Sequence, residues 1–251
     1  MKKSSLASMF LVSVALAIGT AVAQKQAAAP QAPDVAAPKV MPDGSPNQGF
    51  MDAHQRFVSI AKEGTSQLVF LGDSITAGWG GRRNTDSRDI WDKAFGQYKP
   101  ANFGIGGDRT QHVLWRITNG ELDGIKPKAI VLMIGTNNSG SDSAEGIANG
   151  IKAIVKTIRE KQPQANLLLL AVFPRGETPS FPQREKLTKV NAMIAKLNDG
   201  QHIHYLDIGP KFLQPDGTLT KDIMPDLLHL SPAGYQIWAD AIGPKLAELM
   251  K

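Results

Sequence analysis

Short apolar runs alternate along the chain with longer segments of helical periodicity. Leu68 to Leu71, Ala129 to Ile134, Asn166 to Val172 and Ile203 to Leu206 are bounded by Gly, Pro or polar residues, the pattern of strands buried on both faces of a parallel sheet. Ala101 to Phe103 supplies a further strand. Between them, Ile147, Ile151, Ile154, Val155 and Ile158 recur at helical spacing, as do Leu187, Val190, Ile194 and Leu197, and each set marks one buried helix face. Alternating strands and helices predict an α/β domain with a parallel sheet between helix layers. In such sheets ligands bind beyond the carboxyl ends of the strands, so chemistry is sought there.

The N-terminus reads differently. Lys2 and Lys3 precede an apolar run from Leu6 to Ile18, and Ala21-Val22-Ala23 follows as a small-x-small site, so a signal peptide over residues 1–23 and an exported, periplasmic or extracellular protein are expected. The run is shorter than the roughly 20 residues of a membrane span and is broken by Ser8 and Ser13, which argues against an integral membrane anchor. From Gln24 to Gly49 the chain is rich in Ala, Pro and Gln, with Pro30, Pro33, Pro38, Pro42 and Pro46. Such composition predicts a disordered tether without functional residues. Residues 50–251 are then one domain of ordinary length.

Composition removes several chemistries. Among 251 residues there is no Cys, which excludes disulfide scaffolds, thiol nucleophiles and Cys-ligated metal. The formal charge is +5, of which Lys2 and Lys3 contribute two units, too little to imply a nucleic-acid partner.

The strand ends carry the candidates. The first strand runs into Gly72-Asp73-Ser74-Ile75-Thr76, where a serine just past a buried strand meets the N–H groups of a following helical turn. An ordinary turn and helix cap would use the same residue types. The second ends in Gly104-Ile105-Gly106-Gly107-Asp108-Arg109, with Arg109 where a dinucleotide fingerprint needs its third glycine. These glycines equally let backbone approach a substrate oxygen. The third ends in Gly135-Thr136-Asn137-Asn138, where an amide either donates to an oxyanion or caps the turn. Before the last helix stands Asp226-Leu227-Leu228-His229-Leu230-Ser231-Pro232. Ser231 and Pro232 suit the N-cap and first helical position, and an Asp three residues before a His can bond its Nδ1 and leave Nε2 to a serine.

His202 and His204 fall on one strand face without a third ligand at recognisable spacing, so a surface pair is expected rather than a metal site. His54 and His112 have no evident partners. Trp115 and Trp238 fall in helical patterns and are assigned to the core. Trp79 and Trp91 follow Ser74 in a Gly/Arg-rich segment and are assigned to the pocket wall.

Taken together, GDSIT at Ser74, the glycine turn at Gly107, GTNN at Asn137 and DLLH at Asp226 to His229 resemble, in order, the four blocks of the SGNH or GDSL hydrolases. The run from Asn102 to Lys128 and QPQA at Gln162 to Ala165 resemble the catalytic subunits of platelet-activating factor acetylhydrolase IB in particular. The resemblance implies a flavodoxin-like α/β/α sandwich and cofactor-free ester hydrolysis. Ser74 would be nucleophile, His229 general base and then acid, and Asp226 its orienting carboxylate. The oxyanion would meet the backbone N–H of Ser74, that of Gly107 and the side-chain amide of Asn137. Association in pairs, as in those subunits, is open.

The leader and the Gly/Arg-rich segment from Ile75 to Asp89 depart from those subunits. Deacetylation of carbohydrate, or hydrolysis of another short-chain ester, is therefore favoured over platelet-activating factor as substrate. Two alternatives stand beside the esterase: a catalytically silent carbohydrate- or lipid-binding module, and an acyltransferase using the same residues.

Overall fold

The computed structural model describes residues 31–81 and 85–251. Five parallel strands form its sheet: β1 (Leu68–Gly72), β2 (Pro100–Gly104), β3 (Ala129–Met133), β4 (Asn166–Leu170) and β5 (Ile203–Leu206), in the order β2-β1-β3-β4-β5. The helices are α1 (Gln48–Glu63), α2 (Ser74–Ala77), α3 (Thr85–Phe95), α4 (Thr110–Thr118), α5 (Ala144–Lys161), α6 (Pro182–Ile194) and α7 (Pro232–Leu249). No helix among the described residues is long and apolar enough to cross a membrane.

Each expected strand is present, because the central runs are apolar at every position and feed two cores at once. Val69, Leu71, Ile130, Leu132, Leu167 and Leu169 face α1, α4, α5 and α6, whereas Leu68, Phe70, Val131, Met133, Leu168 and Leu170 face α3 and α7. Successive strand side chains point to opposite faces, so a continuous apolar run requires a helix layer on each side. In register, Gly72 stands between Gly104 and Met133. This brings the ends of β1, β2 and β3 to one edge, where the order of connection reverses and a crevice opens.

Residues 31–49 depart from the expected tether. Thr110 Oγ1 donates to Pro33 O at 2.7 Å, Ala37 N to Gln111 O at 3.2 Å, and Lys39 Nζ to Gly106 O at 2.7 Å. The segment folds as a strap over the start of α4 and enters α1, whose N-cap Asn47 accepts from Phe50 N. Its order comes from polar groups on α4 that need partners, a source of stability invisible in the strap's own apolar content. Residues 1–30, which hold the expected leader and the first part of that tether, lie outside the described residues.

Trp79 and Trp91 are also corrected. Both are buried in the α3/α7 core, with ring centroids 5.6 Å apart, and Trp79 lies 4.5 Å from Tyr235 and 5.1 Å from Trp238. The turn after α2 folds back beneath α7 rather than lining the crevice, so indole area is buried where it contributes most. Trp238 is a core residue, and Trp115 packs half-buried at the edge of the other core. Arg82, Arg83 and Asn84, within the segment expected to shape the pocket, lie outside the described residues.

Candidate active site

The strand-end motifs converge. Gly72 is needed where β1 turns into α2, because a Cβ there would lie 2.5 Å from Met133 O. Asp73 caps α2, its Oδ1 accepting from Ile75 N at 2.9 Å. Ser74 is thus the first residue of α2, where a backbone N–H has no intrahelical acceptor.

Ser74 Oγ lies 2.8 Å from His229 Nε2, and His229 Nδ1 lies 2.7 Å from Asp226 Oδ2. An ionised carboxylate only accepts, so Nδ1 carries the proton and Nε2 is the acceptor for the serine hydroxyl. The loop delivering His229 ends at the N-cap Ser231, whose hydroxyl accepts from Gly234 N, with Pro232 following. Burial pushes the Asp226 carboxyl up, but its bonds to the His229 ring and backbone and to Leu228 N outweigh this and hold it below its usual value.

The glycine turn stands beside the serine. Gly107 has φ +72°, a left-handed conformation that a side chain would strain. Asn137 Nδ2 donates to Asp108 O at 2.8 Å, which fixes the amide and leaves its second N–H for another acceptor. The neighbouring Asn138 plays a separate part, being buried, accepting from Thr110 N and donating to Asp142.

Beneath the turn lies a buried charge cluster. Arg116, wholly buried on α4, donates to Asp108 Oδ2 at 2.9 Å, to Glu121, and to the carbonyls of Phe103 at 3.0 Å and Gly72 at 3.3 Å. His54 Nδ1 pairs with Glu121 Oε1 at 3.0 Å, so that histidine has a partner after all. So does His112: its Nδ1 accepts from Arg109 N and its Nε2 meets Gln31 Oε1. Burial, with Lys39, Arg109 and Arg116 nearby, drives the His112 pKa down to about 3, which keeps the ring neutral. His202 is exposed and His204 Nε2 lies 3.2 Å from Gln201 O, and among the described residues no group of three or more His, Asp or Glu can hold a metal ion.

Asp73 is buried under the serine, and desolvation raises its carboxyl to about 7 against the Ile75 hydrogen bond. Arg175 adds a cation nearby, donating to Thr136 O at 3.1 Å. Sequence reasoning does not single out Lys39, Arg116 or Arg175. Arg116 carries a signal, a charge within the apolar face of α4, whereas Lys39 in the Pro/Ala strap carries none.

Residues 70–237 match the model of the GDSL-like lipase/acylhydrolase family. The chain belongs to this family. Platelet-activating factor acetylhydrolase IB subunit alpha1 of Bos taurus is 43% identical over 202 residues, covering 80% of this chain and 84% of that protein. Among solved structures, a GDSL-like lipase from Bacteroides thetaiotaomicron superposes with a TM-score of 0.62 at 18% identity, covering 78% of this chain and 97% of its own. An acetyl xylan esterase superposes at 0.59 with 23% identity, covering 71% and 98%. The GDSL fold, a parallel sheet between helix layers, is therefore common to all three. As a GDSL acylhydrolase the chain is a carboxylic ester hydrolase.

The family relatives overturn the expectation of export. Subunits 43% identical to this chain are intracellular proteins. The lysine pair and apolar run on which the expectation rested lie outside both the described residues and the matched span, residues 70–237. With export falls one of the two grounds for setting this enzyme apart from the acetylhydrolase subunits in substrate.

Proposed function

We propose that this GDSL enzyme hydrolyses short-chain esters, acetyl esters foremost, through an acyl-enzyme on Ser74. The observation that carries the reading is the unbroken line of contacts from Ser74 Oγ to His229 Nε2 and from His229 Nδ1 to Asp226, 2.8 and 2.7 Å long. Ser74 Oγ attacks the ester carbonyl while His229 takes its proton. The tetrahedral oxyanion is held by the backbone N–H groups of Ser74 and Gly107 and the free N–H of Asn137. Collapse expels the alcohol, protonated by His229. Water, deprotonated by His229, then releases the acid and restores the serine. Asp226 keeps the imidazole oriented and balances its charge.

The acetyl preference is supported by the names of the relatives, an acetylhydrolase subunit and an acetyl xylan esterase. The test is initial-rate hydrolysis of p-nitrophenyl acetate and octanoate by the full chain and its Ser74→Ala variant. Acetate turnover that is faster than octanoate turnover and lost in the variant is the expected result. Turnover that survives Ser74→Ala would overturn the serine mechanism, and faster octanoate turnover would overturn the acetyl preference.

A further inference from the structure

The strap places one cation on the oxyanion turn. Lys39 Nζ donates to Gly106 O at 2.7 Å and pairs with Asp108 Oδ1 at 2.8 Å, so it brackets Gly107 from both sides. The Gly106 carbonyl and the Gly107 N–H belong to the same planar peptide unit and point in opposite directions. Whatever fixes that carbonyl fixes the direction of the N–H. Two consecutive glycines leave this plane little intrinsic resistance to rotation.

We propose that Lys39 is a positioning residue for the esterase: it locks the Gly106–Gly107 peptide with its N–H toward the oxyanion, and its charge polarises that N–H. The inference rests on the serine-esterase reading above. Three contacts hold the lysine in place. Its own carbonyl accepts from Asn47 N at 3.1 Å, its ammonium lies 5.5 Å from the Phe50 ring centroid, and its Asp108 partner is anchored on the far side by Arg116. Asp108 O receives the Asn137 amide, so one lysine braces the turn that carries one oxyanion donor and orients another. A hydrogen bond to the carbonyl end of a peptide strengthens the donor at its other end. The segment that composition marks as a tether therefore reaches the chemistry.

The oxyanion forms only in the transition state, so the expected signature is a loss in kcat with KM little changed. Full-length Lys39→Met, which keeps the stem on Phe50 and removes the charge, is expected to lose about 10-fold or more in kcat on p-nitrophenyl acetate, less than the ~10²–10³-fold for deleting an oxyanion donor outright. Lys39→Arg, able to reach both oxygens, is expected to recover most of it. Phosphonylation of Ser74 by a fluorophosphonate, which passes through the same oxyanion site, should slow in parallel. Unchanged kcat and labelling in Lys39→Met would overturn the proposal. So would a loss that Lys39→Arg does not recover and that follows the thermal midpoint, since that describes a structural strap alone. If the wild type shows neither Ser74-dependent turnover nor labelling, the esterase reading falls and the Lys39 proposal falls with it; an active wild type with an equally active Lys39→Met removes the lysine proposal only.

Discussion

Asp226 holds His229 twice: Oδ2 takes the ring Nδ1 at 2.7 Å, and Oδ1 takes the backbone N–H of the same residue at 2.7 Å. Leu227 between them adopts φ +59°, a left-handed conformation for a non-glycine residue. That turn lets a carboxylate three residues upstream curl back onto the imidazole, at a local cost that the surrounding bonds must offset.

Asp226→Asn is expected to keep the backbone contact but present an amide to Nδ1, favouring the wrong tautomer. Because the carboxylate is about half exposed, the loss in kcat should be on the order of 10²-fold, short of the ~10⁴-fold seen for buried orienting carboxylates. A pH–rate profile of wild type and variant checks it. An unaltered kcat would show that the loop, not the carboxylate, orients the ring.

Asn137→Ala should lower kcat by about 10²–10³-fold with little change in KM, as for removal of one oxyanion donor. Asn138→Ala should instead act on stability, since Asn138 ties the start of α4 to the Asp142 turn. Steady-state kinetics beside thermal melts separate the two adjacent asparagines.

Removing Arg116 leaves the carboxylates of Asp108 and Glu121 buried without their common partner. Arg116→Met is therefore expected to cost about 3–5 kcal/mol, the range for breaking a buried ion pair by deleting one side. Urea denaturation measures it. A cost under about 1 kcal/mol would mean that water or His54 compensates the cluster.

Asp73 links stability to pH. Its folded-state pKa, about 7, lies above the ordinary 3.8. The folded state thus binds the extra proton between those values. Its contribution is fully present below pH 3.8 and is lost as pH rises through 7. Asp73→Asn keeps an oxygen to cap Ile75 N and cannot ionise. The melting temperature of this variant relative to wild type should rise by several degrees from about pH 4.5 to about pH 8. A difference constant across that window would show that Asp73 titrates normally.

The central strands β1, β3 and β4 are legible from the chain because each is a local apolar run wanted by two helix layers, the edge strands β2 and β5 show as shorter, mixed stretches between them, and the ends of β1, β2 and β3 lead into Ser74, Gly107 and Asn137. Asp226 and His229 are legible because three residues suffice to bring them together. The chain alone misplaces Trp79 and Trp91, since an indole that follows Ser74 has the same local sequence whether it faces a crevice or turns back under α7. His54 and His112 lack partners in the chain because Glu121 and Gln31 stand 67 and 81 residues away.

By itself, then, the sequence determined what depends on neighbours along the chain: the period of burial, the capping of α7 by Ser231 and Pro232, and the pairing of Asp226 with His229. Tertiary structure decided what depends on groups that are distant along the chain being brought together. Ser74 and His229 are 155 residues apart and come within 2.8 Å only when the parallel sheet aligns β1 with the loop before α7. The strap likewise gains its order, and Lys39 its place, from Thr110, Gln111 and the Gly106 carbonyl. A proline-rich segment has too little apolar surface to declare such a role, because the hydrogen bonds that hold it belong mostly to the surface it crosses.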